Sequence, residues 1–117
     1  MLFRSALIHP RVWADSAAWV QAHAQKPYLI YEAALMRAAG DSNALDNVVV
    51  VYAPETLRIQ RVRQRDPHRS EAEIKKIIQN QIRDEDRAKL ADYVVRNDET
   101  ELLIPQVLAL HQRFMNP

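Results

Sequence analysis

The sequence contains no cysteine and a single glycine, Gly40. Without cysteine the chain forms no disulfide bond and offers no thiolate ligand to a metal, a composition that fits a cytoplasmic protein. Phosphate-binding loops of nucleotide enzymes need several glycines for close backbone approach, so neither GxxxxGK[ST] nor GxGxxG can be written here. The four histidines stand far apart in the sequence and none pairs with a nearby carboxylate, so we expect no metal site.

Long apolar runs and an excess of charge of one sign are also missing. No run approaches the roughly 18 apolar residues that a membrane-spanning helix needs, and the N-terminus does not resemble a secretory signal. Sixteen basic against fifteen acidic side chains give a net charge of +1, so we expect neither a nucleic-acid nor a membrane partner. With 117 residues, 48% of them hydrophobic, the chain is expected to form one globular cytoplasmic domain, residues 1–117.

Three short apolar segments predict strands. Residues 48–52, four valines and a tyrosine, are a β-branched run without a polar face, which is typical of a central parallel strand buried on both faces. The other two segments are residues 28–31, Tyr-Leu-Ile-Tyr, and residues 91–95, Ala-Asp-Tyr-Val-Val. The expected fold class is therefore α/β, with three short parallel strands and flanking helices.

An arginine-rich helix is predicted directly after the valine strand. It begins after Pro54, whose fixed φ suits a first helical turn, and ends before Pro67. Arg58, Arg61 and Arg65 follow i, i+3, i+7 spacing and therefore share one stripe of this helix. A guanidinium group stays charged and can hold two phosphate oxygens at once, which points to phosphate binding. The alternative is a surface helix whose arginines only pair with neighbouring carboxylates.

Further helices are predicted on both sides of these elements. His9 and Pro10 open an amphipathic helix near the N-terminus. Ser70 and Glu73 form a capping box for a helix with a stripe of isoleucines. The last helix contains Pro105, which requires it to begin late or to kink.

Glu32 follows the first predicted strand. In open parallel sheets, ligand-binding groups gather at the carboxyl ends of the strands, so this carboxylate is a candidate for ligand binding. The alternative is a helix cap or a solvated charge, which is the commoner role of a carboxylate at such a position.

A set of motifs stands in a recognisable order along nearly the whole chain. In sequence they are His9-Pro10, YLIYEAAL at 28–35, VVVVYAPE at 48–55, RVRQRD at 61–66, Gln81 and ADYVVRND at 91–98. Together they resemble the C-terminal two-thirds of a dephospho-CoA kinase. The resemblance implies a partial P-loop kinase fold, and transfer of the γ-phosphoryl group of ATP, with Mg²⁺, to the ribose 3′-hydroxyl of dephospho-CoA in coenzyme A biosynthesis.

The resemblance also implies roles for individual residues. Arg61 and Arg65 would be catalytic arginines that meet the phosphates of ATP, on a helical lid at about residues 56–90. Asn97 would lie beside the adenine ring. The residues facing dephospho-CoA would be His9, Glu32 and Leu35.

The chain departs from the family pattern at several positions. The family's GxxGxGKS loop and the aspartate that serves as its catalytic base have no counterpart in these 117 residues. Asp84 stands where relatives often carry arginine, Glu99 replaces the usual glycine after Asn97, and residues 34–38 lack an acidic residue of the family. We therefore expect a piece of such an enzyme that is inactive by itself. The alternative is a non-catalytic interaction or oligomerising domain on a kinase-like scaffold.

The strand that leads into the family's phosphate loop has no counterpart either, which leads to an expectation about assembly. In the family's sheet it lies between the strands that match residues 28–31 and 48–52, so both would expose an unpaired edge. Unsatisfied backbone groups cost roughly 1 to 3 kcal/mol each, against the roughly 5 to 15 kcal/mol that stabilise a domain. Either the two strands pair directly or another copy covers the edges, and we expect the homo-oligomer.

Overall fold

The computed structural model describes residues 2–32 and 45–117, with side chains from Arg11 onward. Within these residues the elements are, in chain order, α1 (Leu2–Ala22), β1 (Val49–Tyr52), α2 (Glu55–Arg65), α3 (Glu71–Gln79), α4 (Asp84–Leu90), β2 (Tyr93–Arg96) and α5 (Leu103–Met115). The α/β class, with a parallel sheet and flanking helices, is confirmed. Among the helices described here, none is both long enough and apolar enough to cross a bilayer.

The chain divides into two compact units. One contains Met1–Glu32 and Gln112–Pro117, and the other contains Ala33–His111. In the first unit the rings of Tyr28 and Phe114 lie 5.6 Å apart between centroids. The second unit contains the sheet, α2, α3 and α4. The expectation of a single domain stays a prediction.

The first helix begins earlier than the sequence predicts. It includes Leu2 and the residues after it, so His9 and Pro10 lie inside α1 rather than at its start. Leucine and alanine in this segment have high intrinsic helix propensity, which favours turns before the proline. Within unit one, α1 is followed by turns that end the helical hydrogen bonding near Lys26.

The valine strand and the arginine helix form within one residue of their predicted bounds. Pro54 precedes α2 with a φ of −58°, the value that its ring imposes. Glu55 occupies the first turn, where the helix dipole favours a carboxylate. The helix ends at Arg65, and the N–H of Asp66 donates to the carbonyl of Val62 at 2.7 Å.

The sheet has two strands in the described residues, so the prediction of three was wrong. β1 and β2 are parallel, with Val49 opposite Tyr93 and Tyr52 opposite Arg96. Residues 28–31 form no strand. A strand exists only when a neighbouring strand completes its backbone hydrogen bonds, and apolar composition alone does not supply that neighbour.

The prediction that the valine strand is central and buried on both faces was also wrong. In the described residues β1 has one neighbouring strand, and Val51 is 59% exposed. Burial is concentrated at Val48, just before β1, and at Val95 in β2. In a two-stranded sheet each strand has one edge without a neighbouring strand. Burying both faces of a strand also requires a packed layer on each face of the sheet.

The outer edges of the two strands differ. On β2, the N–H of Arg96 donates to Gln106 Oε1 at 2.7 Å, and Gln106 Nε2 donates back to the Arg96 carbonyl at 3.0 Å. On β1, the carbonyls of Val48 and Tyr52 accept from the β2 side, so the backbone groups of Val49 and Val51 face away from it. No side chain in the described residues caps that β1 edge as Gln106 caps β2.

The hydrophobic core of the second unit is small. The buried apolar side chains among the described residues are Val48, Ile59, Ile74 and Val95. Ile59 lies on α2 and Ile74 on α3, so the two helices pack together through this core. Ser70 caps α3 as predicted, since its Oγ accepts from the N–H of Glu73 at 3.2 Å.

Replacing Ile74 by alanine should lower the free energy of unfolding by about 2 to 5 kcal/mol, because the side chain is 1% exposed and leaves a cavity. Ile77→Ala on the same helix is the matched control, since Ile77 is 40% exposed and loses less buried area. Urea denaturation measures both. Equal losses for the two variants would contradict the assignment of Ile74 to the core.

Candidate phosphate-binding groove

A groove lies between α2 and α3, with a volume of about 310 Å³. Four arginines line it together with apolar side chains and one amide: Arg58, Arg61, Arg65, Arg69, Val62, Ile74, Ile77, Ile78 and Gln81. The groove surface therefore combines positively charged side chains with apolar ones. Such a groove suits a ligand with several anionic oxygens, since each guanidinium can hold two of them.

The helical period explains which arginines reach the groove. Arg58, Arg61 and Arg65 are three and four residues apart on α2, so they face the same side of the helix. Arg63, on the same helix, is not among the groove-lining residues, and its guanidinium lies 3.8 Å from Glu71. Arg69 joins the groove from the segment between α2 and α3, and sequence spacing alone does not predict its position.

Arg61 connects the groove to the loop that follows β2. Its Nη1 donates to the carbonyl of Asn97 at 2.8 Å, although the two residues are 36 apart in sequence. The N–H of Asn97 in turn donates to the carbonyl of Tyr52 at 2.8 Å, which extends the sheet by one bond. The structure therefore brings together Arg61 and Asn97, to which the family resemblance assigns phosphate and adenine, at the carboxyl ends of both strands.

Each groove arginine also lies near a carboxylate. The shortest guanidinium–carboxylate distances are Arg58–Asp84 2.7 Å, Arg61–Glu99 3.7 Å, Arg65–Asp66 3.2 Å and Arg69–Asp66 4.0 Å. The sequence left two interpretations of the arginine stripe, phosphate binding and ion pairing. The structure shows ion pairs at the same arginines that line the groove. Both features belong to one surface, because a guanidinium with several donors can pair with a carboxylate and still offer hydrogens to a ligand.

No contact in the described structure tests the residues assigned to dephospho-CoA. Glu32 is exposed and lies in the first unit. His9 lies on α1, where the side chains are not described, and Leu35 falls outside the described residues. Their assignment stays a prediction.

Comparison with known proteins decides the family. Residues 3–102 match the family model of dephospho-CoA kinase. The chain belongs to the dephospho-CoA kinase family. A dephospho-CoA kinase of Bacteroides fragilis strain YCH46 is 34% identical over 106 residues, covering 91% of this chain and 51% of that protein. One of Coxiella burnetii is 36% identical over 111 residues, covering 93% of this chain and 55% of that protein. The chain thus spans about half the length of these curated dephospho-CoA kinases.

Asp98 orders the loop that follows Asn97. The N–H of Thr100 donates to Asp98 Oδ1 at 3.1 Å, and the Thr100 hydroxyl donates to the same oxygen. These hydrogen bonds, the hydroxyl's first, lower the pKa of Asp98 below its ordinary value because they favour the charged carboxylate, with a smaller contribution from Arg96. The carboxylate therefore fixes the turn after Asn97.

Replacing Thr100 by valine should raise the pKa of Asp98 towards its ordinary value, because the strongest donor to the carboxylate is lost. A depressed pKa stabilises the loop above the ordinary aspartate value of about 3.9, and this contribution is lost as pH falls through the folded-state pKa. A carboxyl-carbon NMR titration of Asp98 measures the change. Thr56→Val on α2 is the control, and a shift as large in that variant would contradict the assignment.

Proposed function

We propose that this chain supplies the ATP-binding lid of a dephospho-CoA kinase, which phosphorylates the ribose 3′-hydroxyl of dephospho-CoA in coenzyme A biosynthesis. The lid at residues 56–90 corresponds to α2, α3 and α4. The observation that supports this function is the groove lined by four arginines, with Arg61 bonded to the Asn97 loop. Membership of the family adds the substrate class.

The proposed chemistry is neutralisation of phosphate charge. Phosphoryl transfer depends mainly on positioning and on electrostatic stabilisation of the transferring group, so charged donors on a lid accelerate the reaction without covalent chemistry. Arg61 and Arg65 would contact phosphate oxygens, and Asn97 would border the adenine. On the other substrate we assign His9, Glu32 and Leu35 to dephospho-CoA, as the resemblance implies.

The resemblance also implies Mg²⁺. Among the described residues there is no cluster of three or more histidine, aspartate or glutamate side chains that could hold a metal ion.

Arg65→Ala should weaken the binding of inorganic tripolyphosphate by about three- to tenfold, as expected for loss of one partly solvated charge contact. The side chain of Arg65 is 73% exposed, so its removal leaves the core intact. Isothermal titration calorimetry at low ionic strength measures the affinity. Arg63→Ala is the matched control, because it removes the same charge from the same helix outside the groove. If both variants weaken tripolyphosphate binding equally, the ligand is attracted by the net positive charge and does not bind specifically in the groove.

The chain of 117 residues should show no turnover with ATP and dephospho-CoA. Phosphoryl transfer in P-loop enzymes needs the loop lysine and a base or positioning carboxylate, and the sequence contains no GxxxxGK[ST]. A coupled assay that detects ADP release is the measurement, with a complete dephospho-CoA kinase as positive control. Multiple turnovers above that of a blank would disprove this prediction.

A second candidate function, a non-catalytic oligomerising domain, is favoured by the outer edge of β1, which pairs with no strand among the described residues. The outward backbone groups of Val49 and Val51 form a template for a further strand, whereas Gln106 already occupies the corresponding edge of β2. We propose that β1 of one copy pairs with β1 of another. The side chains of the residues that form this edge are apolar, and Val51 is 59% exposed. Pairing of two copies would therefore also remove apolar surface from water.

Val51→Pro should convert this oligomer into a monomer, because proline removes an outward N–H while the bonds from β1 to β2 use other residues. Val94→Pro is the matched control, since its N–H faces the Gln106 side of β2. Sedimentation velocity over a dilution series distinguishes the species. A wild-type chain that is monomeric at micromolar concentration would exclude strand pairing between copies.

A further inference from the structure

Two carboxylates from outside α2 and α3 contact arginines of the groove, although neither carboxylate lines the groove itself. Asp84, the first residue of α4, accepts a hydrogen bond from Arg58 Nη2 at 2.7 Å. Glu99, in the loop after β2, places Oε1 3.7 Å from Arg61 Nη2. These two acids stand 26 and 38 residues from their arginines, so the fold and not local sequence brings each pair together.

In the contact of Asp84 with Arg58 the guanidinium side is partly shielded from solvent, whereas the Asp84 side chain is 44% exposed. The Arg58 side chain is 22% exposed, and its Nε is buried without a hydrogen-bond partner. Asp84 also lies 3.6 Å from Arg87 on its own helix. Because Asp84 occupies Nη2 of Arg58 with a hydrogen bond, it reduces what that side chain offers to the groove.

The contact of Glu99 with Arg61 depends on an unusual backbone conformation. Glu99 has a φ of 69°, and among the described residues it is the one non-glycine residue with positive φ. This region is costly for a residue with a Cβ, and the turn between Asp98 and Thr100 spans it. Because Arg61 also donates to the Asn97 carbonyl, two of its nitrogens already face oxygen atoms of one loop.

We propose that Asp84 and Glu99 are internal counter-ions that compete with phosphate for Arg58 and Arg61. A phosphate oxygen approaching either guanidinium needs the nitrogens that these carboxylates face, and it is also repelled by their charge. The inference rests on the proposed phosphate-binding function and deepens it: the groove binds polyphosphate, but two of its four arginines are restrained by acids that come from outside the segment of α2 and α3.

The test is the affinity of the 117-residue chain for inorganic tripolyphosphate, measured by calorimetry at fixed low ionic strength. Asp84→Asn and Glu99→Gln remove one charge each while keeping side-chain shape, and each should tighten binding about three- to tenfold. Glu85→Gln, the next residue of α4, and Glu101→Gln, two residues after Glu99, are matched controls for the general loss of negative charge. Urea denaturation of every variant checks that the fold is retained.

A double-mutant cycle identifies the arginine involved. In an Arg61→Ala background, Glu99→Gln should no longer tighten tripolyphosphate binding more than Glu101→Gln does, because the arginine for which Glu99 and phosphate compete is absent. Controls that tighten binding as much as Asp84→Asn and Glu99→Gln would overturn the counter-ion role while leaving the groove as a phosphate site. No binding by the wild type or any variant would overturn both this inference and the proposed function. Tighter binding confined to the two variants supports both.

Discussion

The parallel ladder between β1 and β2 is the interaction on which the rest of the second unit depends. It joins segments 44 residues apart, and it is fixed at its start by Asp92, whose Oδ2 accepts from the N–H of Val48 at 2.7 Å. Because parallel strands end at the same edge, the ladder places the start of α2 beside the loop at Asn97. Arg61 can reach that loop only because the ladder holds this register.

Local chemistry predicted well the elements that need few neighbours. Pro54 and the capping serine Ser70 act within one turn of their own position, so the beginnings of α2 and α3 could be placed from the sequence. The arginine stripe follows from helical spacing, and the groove contains it. Family motifs identified the kinase family, which the family model matches over residues 3–102.

The features that sequence reasoning missed depend on distant partners. Residues 28–31 have the composition of a strand, but a strand needs a neighbour that composition does not provide. The partners of the arginines could not be assigned for the same reason: Asp84 and Glu99 were recognisable as unusual, yet nothing local shows which guanidinium each one meets. Helical spacing predicts on which side of a helix a charged side chain lies, whereas the tertiary structure determines which carboxylate it contacts.

Gln106 has a consequence for how large an assembly of this chain can become. Its amide satisfies both backbone groups of Arg96, so at this residue the outer edge of β2 already has the partner that a new strand would provide. A growing β-fibril requires two receptive edges on each subunit, one to accept and one to offer. If copies associate through β1 as proposed, an obstructed β2 edge would make the addition self-limiting, and it would close at a pair related by twofold symmetry. In such an assembly Gln106 would favour finite association over open-ended polymerisation.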